Sequence, residues 1–384
     1  MPGKRTAIVV IHFLLTAGVL MACGTHPAPA HTPTPDVAGV TPILTPTAAN
    51  TLEAHLDRLM RVSHPDFSGS ILVAVPGEEV ILLSYGLADR ENHVANTPET
   101  RFAIGSLTKS FTAMAILILE ERGSLSVKDS ICAYIDPCPD AWEDVTIHHL
   151  LTHTSGIPSY TDLYAQGLIE GDPCQAYTTE EVIAFFRNRP LDFQPGSDWH
   201  YSNSGYFLLG VIIENLAGES YPDFVSENIL LPLGMSETGY NDDRVLIEQR
   251  ASGYILEDRQ VINAPHWDVS TQFSAGGIYS TVGDLYLWDQ ALYANNLISA
   301  ETLETVFSSA VATGDDDQEY GYGWFLSTLS GRRVVEHGGV VYGFSSQLTR
   351  YPDESVTIII LSNDEGTYTS LMSIVFAHVI FENH

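Results

Sequence analysis

Residues 102–109 read Phe102-Ala103-Ile104-Gly105-Ser106-Leu107-Thr108-Lys109, and the run that follows, Ser110 to Leu119, is strongly apolar. The spacing predicts a helix over Leu107 to Glu121, with Ser106 at its N-terminus. Positions i and i+3 share a helix face, so Ser106 and Lys109 lie side by side. That pairing is what serine–lysine acyl transfer requires. A serine hydroxyl is a poor nucleophile until a neighbouring base takes its proton. A lysine can be that base only where burial or positive neighbours bring its pKa far below the ordinary value. The apolar helix offers the burial, and its N-terminal dipole disfavours the ammonium and stabilises a developing oxyanion. A lone Ser-x-x-Lys occurs by chance in many proteins. Here the background is low, because the chain has three lysines, Lys4, Lys109 and Lys128. The plain alternative is a lysine snorkelling at a helix end, but Lys109 sits in an apolar stretch rather than on a charged face.

Helical spacing recurs at Thr179 to Asn188, Ser204 to Leu216 and Val282 to Leu292, which makes the middle of the chain helical. The two ends read differently. Ser70 to Val75 and Val80 to Tyr85, either side of a loop that begins Pro76-Gly77, predict a hairpin. Arg332 to Glu336, Phe344 to Tyr351 and Ser355 to Leu361 predict three more strands, followed by a helix from about Thr369 to Phe381. Strands at both ends with helices between them predict one sheet built from the two chain ends, with a helical region inserted. No repeat or second linker follows residue 50, so 51–384 reads as one catalytic unit, although length alone allows two or three domains.

The N-terminus has a different character. Lys4 and Arg5 precede an apolar run, Ala7 to Leu20, too short for a comfortable bilayer span. A basic segment followed by such a run reads as a signal peptide over residues 1–22. Leu20-Met21-Ala22-Cys23-Gly24 resembles a bacterial lipobox, which makes Cys23 the lipidated first residue of an exported, membrane-anchored protein. A plain signal peptide that happens to hold a cysteine is the alternative. Residues 23–50 are Thr/Pro/Ala-rich and read as an extended linker. Three further cysteines remain, Cys132, Cys138 and Cys174. They allow three single pairings in an oxidising compartment. The short turn-forming segment Tyr134 to Pro137 favours Cys132 with Cys138 and leaves one thiol over. The 48 acidic residues against 17 Lys and Arg give a formal net charge of −31, which repels nucleic acid and anionic membrane surfaces alike.

At this point the sequence resembles the serine β-lactamase and penicillin-binding-protein superfamily, whose first motif is Ser-x-x-Lys. It resembles most the branch holding class C β-lactamases, DD-peptidases, D-aminopeptidases and related esterases. Two further motifs follow in the family's order: Tyr201-Ser202-Asn203 for Tyr-x-Asn, and His337-Gly338-Gly339 for Lys-Thr-Gly or His-x-Gly. Leu150 to Pro158, Ala275 to Thr281 and Gly321 to Trp324 also look family-like. The resemblance implies an α+β fold of the β-lactamase/transpeptidase type, an antiparallel sheet flanked by helices with a mostly helical inserted subdomain. It implies Ser106 as nucleophile, with Lys109 and Tyr201 sharing general-base and general-acid work. It implies an oxyanion hole from the backbone amides of Ser106 and Val340, and Asn203 holding Lys109 and a substrate amide or carbonyl. No cofactor is implied, and the partner is a small ester, amide or peptide.

One departure matters. A lysine at the head of the third motif gives a fixed charge for a carboxylate-bearing substrate, whereas His337 is largely neutral near pH 7. Esterase, amidase or D-amino-acid peptidase activity is therefore expected over efficient β-lactam hydrolysis. A DD-carboxypeptidase or β-lactam-binding protein is the runner-up, and a catalytically silent acyl-ligand sensor the reading from another class. An α/β-hydrolase is disfavoured because no Gly-x-Ser-x-Gly occurs. A zinc hydrolase on His149 and His153 is disfavoured because Leu150 follows the first histidine where the metalloprotease motif needs Glu, so no metal is expected.

Overall fold

The computed structural model describes residues 51–294, 296–308, 310–315 and 317–383. The signal peptide, Cys23 and the 23–50 linker lie outside the described residues. Eight described strands form one antiparallel sheet: β1 (Gly69–Ala74), β2 (Ile81–Tyr85), β3 (Val311–Ala312), β4 (Glu319–Tyr320), β5 (Phe325–Leu329), β6 (Arg332–Val341), β7 (Phe344–Tyr351) and β8 (Val356–Ser362). Their order is β3-β4-β5-β6-β7-β8-β1-β2, so the N-terminal hairpin pairs with the last strand. Ile71 lies opposite Ile360 and Leu72 opposite Ile359.

That pairing explains why β8 reads as a continuous apolar run. Alternate residues of a strand face opposite sides of a sheet, and both sides of this one are covered. Ile358 and Ile360 pack with Ile71 and Val73 against α1 (Leu52–Ser63) and the C-terminal helix Thr369–Asn383. Ile359 and Leu361 join the larger core on the other face. Burying each such side chain contributes about 1.5–3 kcal/mol. The first helix escaped sequence analysis because its apolar face is thin. Leu52, Leu56 and Met60 are its buried residues, and Thr51 caps it by accepting from the Ala54 N–H.

On the larger core lie α2 (Thr108–Glu121), α3 (Ile147–Leu151), α4 (Thr179–Ala184), α5 (Asn203–Ala217) and α6 (Val282–Ala291), which makes the C-terminal helix α7. Every residue of α2 from Thr108 to Leu119 is buried, as an all-round apolar helix must be. Phe111 stacks on Trp288 of α6 with centroids 4.4 Å apart. Arg350 of β7 is ion-paired to Asp289 of α6, both fully buried, and Thr357 of β8 donates to the same carboxylate at 2.7 Å.

Two boundaries differ from the sequence reading. The strand expected over Arg332 to Glu336 continues to Val341. Glycine weakens strand propensity, but the ladder to β7 carries Gly338 and Gly339 opposite Gln347 and Ser346. The helix expected over Thr179 to Asn188 closes at Ala184, where Phe185 and Phe186 bond to carbonyls three residues back and tighten the turn. Cys132 and Cys138 form a disulfide with S–S 2.03 Å. No described cysteine is a free thiol, so the expectation of one left over does not hold. No described helix is long and apolar enough to cross a membrane.

Candidate active site

Ser106 occupies a single 3-10 turn, Gly105–Leu107, that feeds directly into α2. One helical turn further on, Lys109 is fully buried with its Nζ 3.0 Å from Ser106 Oγ. The amine also reaches Asn203 Oδ1 and the Ala275 carbonyl, each at 2.8 Å. None of these partners is an acid. Burial therefore drives the lysine pKa well below its ordinary value.

The N-terminus of α5 delivers Asn203. Helix N-termini leave backbone N–H groups without helical partners. Here the Asn203 N–H donates to Ser159 Oγ at 3.2 Å and its Nδ2 to Thr161 Oγ1 at 2.9 Å. The Ser202 N–H donates to His153 Nδ1 at 3.1 Å. Tyr201, just before, has its ring centroid 4.9 Å from Lys109 Nζ and 4.2 Å from the His153 ring. Burial pushes the Tyr201 phenol up, a hydrogen bond with Ser106 works the other way, and nearby Tyr160 adds to the rise. Both Lys109 and Tyr201 are thus held towards their neutral forms.

The third wall is β6. An added Cβ at Gly339 would stand 2.0 Å from Ile104 O and 2.7 Å from Ser106 N, so only glycine lets the strand approach. Gly105 has φ +52, and its own Cβ would lie 3.1 Å from Val340 N. The backbone amides of Ser106 and Val340 consequently sit on adjoining segments at the mouth of the site. His337 is buried on the same strand. Its Nδ1 donates to the Gly338 carbonyl at 2.6 Å, which leaves Nε2 to accept from Tyr320 Oη at 3.1 Å. Burial, with Lys109 nearby, brings its pKa down to about 3. The ring is neutral and both nitrogens are engaged within the protein.

All eight residues singled out around the nucleophile (Ser106, Lys109, Tyr201, Asn203, His337, Gly338, Gly339 and Val340) converge here. Ser159, Thr161 and Tyr320 complete the setting and carry no sequence signal of their own, while the Ala275 carbonyl comes from the family-like stretch Ala275 to Thr281 without its contact to Lys109 being foreseen. His149 and His153 do not form a ligand pair. His149 caps α3, where its Nδ1 accepts from the Thr146 N–H at 3.2 Å, and His153 lies past the helix end with φ 61. No group of residues that could hold a metal occurs among the described residues.

A serine set against a buried lysine that has no acid beside it, facing strand β6 of an antiparallel sheet, defines a serine hydrolase of the acyl-transfer class. Comparison with known proteins gives the family. The Beta-lactamase family model matches residues 55–373. Penicillin-binding protein 4* of Bacillus subtilis is 33% identical over 82% of this chain and 72% of its own. The crystal structure of a penicillin binding protein from Bacillus halodurans superposes with TM-score 0.74 at 30% identity, covering 84% of this chain and 98% of that one. D-amino acid amidase from Ochrobactrum anthropi SV3 shares the fold, with TM-score 0.77 at 22% identity over 88% of this chain and 100% of its own. The chain belongs to the β-lactamase family of serine hydrolases.

Proposed function

We propose that the protein hydrolyses small esters, amides or D-amino-acid peptides through an acyl-enzyme on Ser106, and that it turns over β-lactams poorly. The observation that carries this is the Lys109 amine. A neutral amine has two hydrogens and one lone pair. The Asn203 and Ala275 oxygens take the two hydrogens, at 2.8 Å each. The lone pair is then left for the Ser106 hydroxyl, 3.0 Å away. Lys109 removes the hydroxyl proton as Oγ attacks the carbonyl carbon, and the amides of Ser106 and Val340 receive the oxyanion. Tyr201, kept protonated by burial, gives its proton to the leaving group and is refilled from the Lys109 ammonium. Water reverses the sequence to free the acid.

The neutral, fully engaged His337 is the reason for preferring carboxylate-free substrates. Penicillin-binding relatives at 30 and 33% identity favour a second reading, a penicillin-binding DD-carboxypeptidase. A labelled penicillin and a fluorophosphonate, offered to wild type and Ser106→Ala, separate the possibilities alongside p-nitrophenyl esters, D-amino-acid amides and D-Ala-D-Ala peptides. Serine-dependent fluorophosphonate labelling with ester or amide turnover is expected. Absence of serine-dependent labelling sinks the enzyme reading, and β-lactam turnover at the rate of a resistance enzyme sinks the substrate reading. We further propose export and lipid anchoring through Cys23. Metabolic labelling with a fatty acid should disappear in Cys23→Ala.

A further inference from the structure

Tyr201 lies just outside regular structure. Helix α5 begins at Asn203, and Ser202 before it has extended backbone with φ −128 and ψ 114, so no helical ladder fixes the tyrosine. The buried His153 does. Its carbonyl accepts from the His200 N–H at 3.1 Å, and its Nδ1 accepts from the Ser202 N–H at 3.1 Å. Between these two bonds the Tyr201 ring rests against the imidazole, centroids 4.2 Å apart at 35°. One residue thus holds the chain on both sides of the proton donor. The neighbouring segments are tied in the same way. The Gly196 N–H donates to the Thr154 carbonyl at 2.8 Å, and Ser202 Oγ to the Ile157 carbonyl at 2.8 Å.

Packing alone does not account for a histidine at this position. With Nδ1 accepting, the neutral ring carries its proton on Nε2, which has no hydrogen-bond partner among the described residues. A buried donor left unmatched costs stability. Phenylalanine would fill the same space without that cost; what it lacks is the acceptor. Nor is His153 a base in its own right. Its one lone pair is taken by Ser202, and burial, with Lys109, His337 and His200 nearby, holds its pKa well below the ordinary value. We propose that His153 is a positioning residue for proton transfer, whose Nδ1 acceptor fixes the Tyr201–Ser202 peptide and so sets the Tyr201 hydroxyl against Ser106 and the leaving group. This rests on the reading of Tyr201 as proton donor to the leaving group.

The test uses the full chain and two esters that share an acyl group, p-nitrophenyl butyrate and ethyl butyrate. p-Nitrophenolate departs as a stable anion, whereas ethoxide needs a proton as it leaves, so only the ethyl ester depends on a general acid. His153→Gly and His153→Asn both suit the left-handed φ of 61, and both lack the ring. Asparagine alone keeps an acceptor, its Oδ1 as many bonds from the backbone as Nδ1. His153→Phe keeps the ring and lacks the acceptor. Each variant is verified as folded by circular dichroism. His153→Gly and His153→Phe should lower kcat/KM about 10²-fold for ethyl butyrate and less than about threefold for p-nitrophenyl butyrate. His153→Asn should recover most of the ethyl ester rate. No loss, or equal losses for both esters, in whichever of the glycine and phenylalanine variants fold overturns the inference, as does an asparagine variant no better than these. Tyr201→Phe separates the inference from the reading it rests on. The same selective loss is expected there; if both esters slow alike, the proton-donor reading falls and the inference with it.

Discussion

Lys109 is fully buried and held without a carboxylate, and this sets both its chemistry and its cost. Where the folded amine is neutral and the unfolded one charged, the unfolded chain binds the extra proton. Stability therefore falls as pH drops below the ordinary lysine value, about 10.4, until the folded amine itself protonates. Lys109→Met should lower kcat about 10²–10⁴-fold yet raise Tm, by a margin that grows from pH 10 down to pH 6. Ester turnover and thermal melts across that range check both halves. His337 has the same sign of linkage over a lower window. Its folded pKa of about 3 lies under the ordinary value near 6.5, so its contribution is lost as pH falls from 6.5 towards 3. Its ring proton shifts in NMR spectra should stay flat from pH 8 to about 4.5. The serine and lysine were legible from spacing and from the scarcity of lysine. The Ala275 carbonyl was not, because a backbone oxygen leaves no mark in a sequence.

At the scale of elements, catalysis depends on how closely β6 meets the turn that carries Ser106. Gly339→Ala puts a methyl group into Ile104 O and Ser106 N and must push the strand away. Displacing one oxyanion donor costs about 10²–10³-fold in kcat, and a kcat measurement on any accepted ester checks it. The expected strand stopped at Glu336 because two glycines interrupt its apolar pattern. Those glycines are where the strand has to come nearest another backbone. Helix α2 was legible because every residue from Thr108 to Leu119 is buried, which leaves the run from Ala113 to Leu119 without a polar face to obscure it. Strands β3, β4 and β5 were not foreseen. The first two are 2 residues each, too brief for alternation to build a pattern, and in the third Ser327 and Thr328 interrupt the apolar run; pairing with neighbours decides all of them.

For the molecule as a whole, the Arg350–Asp289 pair fastens α6 to the central strands. Removing one partner leaves a buried charge, so Arg350→Met should cost about 3–5 kcal/mol in denaturant unfolding. Adding Asp289→Leu should recover much of that loss, because no charge is then left unpaired. The order of elements by itself determined that one sheet would draw on both chain ends, since apolar strands at the two termini can bury their faces only by pairing. It also singled out Ser106 and Lys109 as the candidate nucleophile and base, because three motifs and a nearly lysine-free chain leave few alternatives. Only the tertiary structure decided the protonation of the site. The same histidine titrates at about 6.5 in water and only at about 3 between Tyr320 and the Gly338 carbonyl, and the same lysine is an ammonium on a surface and is driven towards its free base inside. Those states follow from desolvation and from hydrogen-bond partners distant in sequence, which exist only once the chain has folded.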